Sequence, residues 1–437
     1  MPSLQFADHP THLQAILQAA LAEADPQTAV YQHLHKKGGH LHIGPHTVEL
    51  NSGRLFILSL GKAAVPMALA ALDVVGETAV AGGGIITKHL PETPLPLPAY
   101  AGSHPVPDEQ SMAATTAVLE PLAALTEKDL VLCLISGGAS ALFTRPRLPL
   151  EHWQALNQAL LASGCPIQAI NTVRRQLDAV KSGGLARWVA PARIISLILS
   201  DVVGNDLAAI GSGPTVASQE TAAAAVAALE QYQVDRYLAT AVAQTIATTL
   251  ENLAQTAYTP PTNIIDNHLI GSIQQSAQAA AATAESLGFQ TRLLTTRLEG
   301  EAREVGKFAA ALAIDAPPQS ATLLGGETTV TLRGNGVGGR NLETALAAAI
   351  NLAGWPRRTV TCFATDGDDG PSGAAGATVT GQAVQDNQAA LAALNNNDSF
   401  TYFQQLDAAG HGPHLINTGP TGTNVNDLIV ILNYVRK

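Results

Sequence analysis

Short runs of apolar and β-branched residues return along the whole chain, with Ala-rich stretches of helical spacing between them. The runs are RLFILSL (54–60), GGIIT (83–87), DLVLCLI (129–135), RIISLILS (193–200), NIIDN (263–267), ATLLGG (321–326), TTVTLR (328–333), TVTCFAT (359–365) and DLIVILN (427–433). Strands that are apolar on both faces need cover on both, and intervening helices supply it, so the pattern predicts an α/β fold with parallel sheets. The chain should open with a helix in THLQAILQAALAEAD, and residues 218–256, rich in Ala and Thr, should be helical too. YTPPTN (258–263) breaks that stretch with two prolines and reads as a linker. It divides the chain into an N-terminal domain, 1–257, and a second α/β domain, 258–437. The length, 437 residues, suits two or three domains.

Composition narrows the function. Hydrophobic residues make up 46% and charged ones 14%, which suits a soluble, heavily buried protein. The net charge of −11 argues against a general nucleic-acid surface. An anionic ligand would have to find local positive potential from a few Lys, Arg and helix N-termini. Cys133, Cys165 and Cys362 suit reduced core thiols better than disulfides or a zinc cluster. MPSLQFADHPTHLQ lacks the plan of a signal peptide, and no apolar run approaches the roughly 20 residues that span a bilayer. The expected location is the cytoplasm.

Several strands end in glycines or acids. LFILSL runs into Gly61-Lys62, LVLCLI into Ser136-Gly137-Gly138-Ala139-Ser140, ISLILS into Asp201, and VTCFAT into Asp366, Asp368 and Asp369. Ligands of open parallel sheets bind beyond the carboxyl ends of the strands. Ser136–Ser140 therefore reads either as an anion cradle or as a tight turn whose small residues let a helix pack on a strand. Lys62 is either a solvated surface lysine or a cation aimed at phosphate. It is not a Walker lysine, since Ala63 follows it and position 56 is Phe.

TLRGNGVGGRNLE contains a formal G-x-G-x-x-G at Gly334, Gly336 and Gly339, placed between a predicted strand and a helix as a dinucleotide site requires. Arg340 follows at once, where it could reach a transferring phosphoryl group. The acidic loop TDGDDG suits Mg²⁺ better than a ribose diol, or else is a surface turn. INTGPTGTNVNDL (416–428) crowds Thr421, Thr423, Asn424 and Asn426 against Gly419 and Gly422, and resembles ligand-binding backbone. In SHPVPDE two prolines fix His104 and Asp108.

Eight stretches, in order from about residue 55 to the C-terminus, together resemble the glycerate 2-kinase family, the class II glycerate kinases with a C-terminal MOFRL domain. They are GKAAVPMA, SHPVPDE, LISGGASALF, INTVRRQLDAVKSGGLA, SDVVGNDLAAIGSGPT, GGETTVTLRGNGVGGRN, TDGDDGPSGAAGA and TGPTGTNVNDL. Members are often labelled hydroxypyruvate reductases. The resemblance implies a Rossmann-like parallel sheet in the N-terminal domain, a MOFRL region at about 320–432, and an active site in the interdomain cleft. It implies ATP- and Mg²⁺-dependent phosphorylation of D-glycerate to 2-phosphoglycerate. By motif position Lys62 and Arg340 match the family's catalytic cations, and Asp201 and Asp366 its acids. One of these acids would hold Mg²⁺ and another accept the C2 hydroxyl proton. Substrate or nucleotide would be met by Gly61, Ser136, Gly137, Gly138, Ser140, Gly326, Glu327, Gly336, Gly338, Gly339, Asn341, Thr421 and Asn424. The chain departs from the family at Asn205, where Asp is common, at Leu342, where Gln is, and at Ser182, where Gly is. The partners expected are D-glycerate and ATP, with no nucleic acid and no membrane; a homodimer is left open. The alternative is an NAD(P)H-dependent hydroxypyruvate reductase, resting on the G-x-G-x-x-G.

Overall fold

The computed structural model describes residues 4–256 and 259–435. The first three residues of the N-terminal segment, the first residue of YTPPTN and the junction at 257/258 lie outside them. The chain folds into two compact units, Ala29–Ser200 with Asn205–Ile270, and Met1–Thr28 with Asp201–Gly204 and Gly271–Lys437. Among the described residues no helix is long and apolar enough to cross a membrane.

The first unit carries a small antiparallel sheet of β1 (Leu34–Lys37), β2 (His40–Ile43) and β3 (His46–Glu49). Its main sheet has six strands: β4 (Leu55–Leu60), β5 (Val80–Thr87), β6 (Ala99–Ala101), β7 (Leu130–Ile135), β8 (Arg193–Leu199) and β9 (Ile264–Gly271). They lie in the order β6-β5-β4-β7-β8-β9, and β4 pairs in parallel with both β5 and β7. Every residue of β4 and β7 is buried, as their uninterrupted apolar runs predict. From β4 the chain builds outward through β5 and β6, then returns to β7 and builds the other way. At that reversal the connections leave β4 and β7 toward opposite edges of the sheet, and ligands of such sheets bind beyond the carboxyl ends there. The stretch 218–256 forms helices Ala222–Gln231 and Thr240–Gln255, which share a core with Leu150–Ala162 and Ile167–Leu177 around Trp153, Leu156 and Ile246.

The second unit is built on β10 (Gln290–Leu298), β11 (Ser320–Gly326), β12 (Arg358–Ala364), β13 (Gly376–Thr380), β14 (Leu415–Ile416) and β15 (Asp427–Asn433), in the order β10-β11-β15-β12-β13-β14. This sheet is mixed, which corrects the all-parallel expectation. β10 and β11 are parallel, but β15 runs antiparallel to both β11 and β12. A central strand buried on both faces has the same composition in either direction, so an apolar run does not report polarity. TTVTLR is not a strand: Thr329 makes one isolated bridge to Glu301, and Leu332 is 80% exposed.

One face of this sheet is covered by Ile273–Ser286 and by the N-terminal helix His9–Glu23, through Ile16, Ala20, Ala277, Ala280 and Phe363. The Ser276 hydroxyl donates to the Ala20 carbonyl at 2.5 Å and that of Thr423 to the Ala24 carbonyl at 2.6 Å. The opening helix thus packs with the C-terminal unit, a division that differs from a single cut near residue 258. Helices Ala302–Asp315 and Arg340–Leu352 cover the other face. The three cysteines are buried and free, as expected of core thiols.

Candidate active site

At the reversal point of the first unit, the turns after β4 and β7 are bonded to each other. The Gly61 φ is +120°, and a Cβ there would stand 2.3 Å from Ser136 Oγ. The Lys62 amide donates to the Gly137 carbonyl at 2.9 Å. Ser136 is buried; its hydroxyl accepts from the Ala63 amide at 3.1 Å and donates to the Leu60 carbonyl at 3.3 Å. Ser136 thus works as a tie between the two turns, and its hydroxyl is committed to backbone. Ser140, on the exposed side of the short helix Ala139–Leu142, shares a hydrogen bond of 2.7 Å with Ser212.

Gly138, at φ +83°, marks where side chains gather: a Cβ there would lie 3.2 Å from both His104 Cδ2 and Lys62 Cγ. Lys62 is exposed, and Lys88, also exposed, follows β5 directly. Burial, then the charges of Lys62 and Lys88, push the His104 pKa down to about 4. His104 is therefore neutral at pH 7 beside two cations. The loop that carries it is tied down: the Asp108 carboxylate accepts from the Ser111 amide at 3.0 Å and from the Ser103 hydroxyl at 2.5 Å. Lys181, which sequence reasoning passed over although its motif was visible, is buried beneath this turn. Its ammonium donates to the Ala139 and Phe143 carbonyls, and burial lowers its pKa to about 8.

The His104 shift has a sign. Its folded pKa lies below the unfolded value of 6.5, so the unfolded chain binds more protons between about pH 6.5 and 4. Stability should fall as pH drops through that window. Urea melts of His104→Asn should show a flatter acid limb than the parent. Identical limbs would show that His104 does not titrate as its surroundings dictate.

In the second unit, Arg340 opens the helix Arg340–Leu352 and grips Asp427 at the start of β15, with Nε to Oδ2 at 2.5 Å and Nη2 to Oδ1 at 3.0 Å. Nη1 reaches Glu327, just past β11, at 3.2 Å. Burial works against the Arg340 charge, but the hydrogen bond and charge of Asp427 outweigh it and hold the pKa above its usual value. Asn426 holds a backbone φ of +75°, and its side-chain Nδ2 donates to Glu327 Oε2 at 3.0 Å and to the Asp201 carbonyl at 2.7 Å. Asp369 is buried and caps the helix, accepting from the Asn341 amide at 3.1 Å and the Leu342 amide at 2.8 Å. Asp366 is half-buried and Asp368 exposed. The acidic loop packs on the loop 417–426: the Thr421 hydroxyl donates to the Thr365 carbonyl at 2.6 Å, and a Cβ on Gly367 would meet the Gly419 carbonyl at 2.0 Å. Asn424 accepts from the Asn426 amide.

The glycine-rich loop serves the chain itself. A Cβ on Gly334 would lie 2.2 Å from Asn396 Oδ1, one on Gly336 2.3 Å from Asp398 Cβ, one on Gly338 2.4 Å from Ser399 Oγ, and one on Gly339 2.3 Å from Asp369 Cγ. These glycines let the segment 396–399 and Asp369 approach, and no strand leads directly into them. Gly326, at φ +155°, likewise admits the Leu298 carbonyl at 2.1 Å. Gly339→Ala should lower stability by about 1–3 kcal/mol, the usual cost of overpacking. Calorimetry would read it, and an unchanged Tm would mean that the loop gives way freely. Of the departures from the family pattern, Leu342 is fully buried in the core of the helix layer, and Asn205 holds a φ of +59°.

Residues 12–247 match the family described as a domain of unknown function, DUF4147, and residues 320–427 match the MOFRL family. A D-glycerate 2-kinase of Thermotoga maritima is 40% identical over 87% of this chain and 91% of its own length. The chain belongs to the glycerate kinase family. A putative hydroxypyruvate reductase of Agrobacterium vitis is 37% identical over 96% of this chain and 93% of its own length. The crystal structure of a glycerate kinase from Thermotoga maritima aligns with a TM-score of 0.82 at 38% identity, covering 97% of this chain and 99% of that one. Within the family's two matched regions fall both residue groups: Gly61, Lys62, Ser136 to Ser140 and Asp201 in the first, Gly326, Glu327, Arg340, Asp366, Thr421 and Asn424 in the second.

Proposed function

We propose that the protein transfers the γ-phosphoryl group of ATP to the C2 hydroxyl of D-glycerate, giving 2-phosphoglycerate and ADP. The observation that carries this reading is the cationic corner at Gly138, in a chain of which 87% aligns with a D-glycerate 2-kinase. On a protein of net charge −11, Lys62 and Lys88 stand together beyond the carboxyl ends of β4 and β5, beside a histidine held neutral. Both substrates are anions, and such a corner is where a carboxylate or phosphate gains most. The strand order is that of a Rossmann-like sheet, whose ligands sit at this reversal point.

Phosphoryl transfer is mainly positioning and charge stabilisation. Lys62 steadies charge on the transferring group. Arg340, held by Asp427 and Glu327 and with its side chain 27% exposed, has N–H groups to spare for a phosphoryl oxygen. Asp201 and Asp366, both half-buried, are hard oxygen donors, and Mg²⁺ is ordinarily held by one or two carboxylates together with phosphates, so either would suit it. When bound, Mg²⁺ neutralises phosphate charge. Of Asp201 and Asp366, one would hold the metal and the other would accept the C2 hydroxyl proton. The reading requires residues of both units to act on one phosphoryl group.

A reductase would need a dinucleotide at Gly334, Gly336 and Gly339, but the faces those glycines leave open are filled by the chain's own atoms. The first βα turn of the parallel sheet carries Gly61-Lys62 and no G-x-G-x-x-G. Purified protein should release ADP when given ATP, Mg²⁺ and D-glycerate, and should not oxidise NADH or NADPH with hydroxypyruvate. Hydroxypyruvate-dependent NADH oxidation at enzymatic rates would overturn the kinase reading.

A further inference from the structure

The interior of the first unit holds a cation that no acid neutralises. Lys181 is 3% exposed, and among the described residues no carboxylate forms an ion pair with it. The acid that acts on it from nearby, Asp178, is committed elsewhere. Its Oδ2 accepts from the Thr144 hydroxyl at 2.6 Å, and its Oδ1 from the Arg145 and Val180 amides at 3.0 Å each. The Lys181 ammonium instead donates to the Ala139 carbonyl at 3.2 Å and to the Phe143 carbonyl, and lies 5.7 Å from the centre of the Phe143 ring. An uncompensated buried charge is costly, and an apolar side chain of similar volume commonly fills such a place with no loss of stability. Packing therefore does not account for the charge.

Its position does. Ala139 follows Gly138, the corner where Lys62 and His104 gather, so the carbonyl that Lys181 holds belongs to that turn. The segment after Lys181 is tied to the same turn again: the Ser182 amide donates to the Ser212 carbonyl at 3.1 Å, and the Ser212 hydroxyl shares its 2.7 Å bond with Ser140. Lys62 and Lys88 are exposed, and water and salt screen them. A charge held in the low-dielectric interior is screened far less, so it reaches a ligand across the turn.

We propose that Lys181 is a positioning charge of the anion site: its buried ammonium is the counter-charge for a carboxylate or phosphoryl group seated at the Gly138 corner, and it acts through the Ala139 turn without touching the ligand. The kinase reading enters only in the identity of that anion, which it makes a group of D-glycerate or ATP. Burial lowers the Lys181 pKa to about 8; Asp178 opposes the shift, and Arg174, on helix Ile167–Leu177, adds to it. An anion at the corner favours the ammonium, and by linkage the ammonium favours the anion. Anion affinity should therefore fall as pH rises through about 8 and Lys181 loses its proton. His104, with a pKa of about 4, does not titrate in that range.

Calorimetric titrations of the full chain with D-glycerate and with sulfate, whose charges are constant between about pH 7 and pH 9, test this. The parent should bind these anions about threefold or more weakly at the higher pH. Lys181→Met should bind them about tenfold more weakly at the lower pH and show no step between the two. Lys181→Arg, charged throughout, should show no step either. The parent alone gives a second reading, which does not depend on any variant folding. In NMR of ¹³C,¹⁵N-labelled lysines, the ammonium most protected from solvent exchange should titrate near pH 8, and saturating sulfate or D-glycerate should raise its midpoint. Sulfate binding that depends on Lys181 in a protein indifferent to D-glycerate would uphold the proposal and count against the kinase reading. No binding of either anion, an affinity in folded Lys181→Met equal to the parent's, or a midpoint that neither anion moves would each overturn it.

Discussion

Replacing Lys62 with alanine should lower kcat/KM by about 10²–10³-fold, the loss seen when one preorganised charge-stabilising group is removed from a transition state. The folded protein should hardly notice. Lys62 is exposed and its backbone, not its side chain, ties the turn, through the hydrogen bond its amide donates to the Gly137 carbonyl. A surface lysine of this kind contributes within about 0.5 kcal/mol to stability. The loss should fall mainly on kcat, because the charge is needed most when the phosphoryl group is in transit. Normal turnover in a normally folded Lys62→Ala protein would remove the residue from the reaction.

Arg340→Ala should do two things at once. It takes the partner from Asp427, which is 6% exposed and would be left as a buried, unpaired carboxylate. Breaking a buried pair from one side costs about 3–5 kcal/mol. In the proposed reaction it also removes a cation from beside the transferring phosphoryl group, so kcat should fall well beyond what instability explains. Arg340→Lys should restore part of the stability and little of the activity, since a point charge cannot make two parallel bonds to a carboxylate. Arg340→Ala combined with Asp427→Asn should regain stability without regaining turnover. If Lys62 and Arg340 serve the same transition state, their losses in kcat/KM should be non-additive in a double-mutant cycle. Losses that simply add would place the two cations in separate events.

The first unit was the more legible in sequence. β4, β7 and β8 are short, mostly apolar and β-branched runs bounded by glycine or polar residues, which favours strands buried on both faces. The place of Lys62, though not its role, was legible for the same reason: a Gly-Lys pair directly after such a strand lies at its carboxyl end. The second unit was less so. The direction of β15 leaves no trace in DLIVILN, because burial on both faces erases the alternation that would carry it. β10 was missed because its burial is partial and its run, QTRLLTTRL, mixes Thr and Arg with Leu. The N-terminal helix was visible as a helix, but its partner, 250 and more positions away, was not. Asp427 was read only as the head of a strand; its bond to Arg340, 87 positions earlier in sequence, exists only after β15 inserts between β11 and β12. The G-x-G-x-x-G misled for the opposite reason. Glycine marks close approach, and sequence does not say whether a ligand or the chain itself approaches.

The central claim is that phosphate ends on the C2 oxygen of glycerate, and phosphorus NMR of the reaction mixture reads that position directly. With D-glycerate, ATP and Mg²⁺, the account predicts a phosphomonoester whose phosphorus couples to the single proton on C2, appearing only with active protein and lost in Lys62→Ala. A product whose phosphorus couples to the two C3 protons, or ATP consumed with no glycerate ester formed, would contradict it.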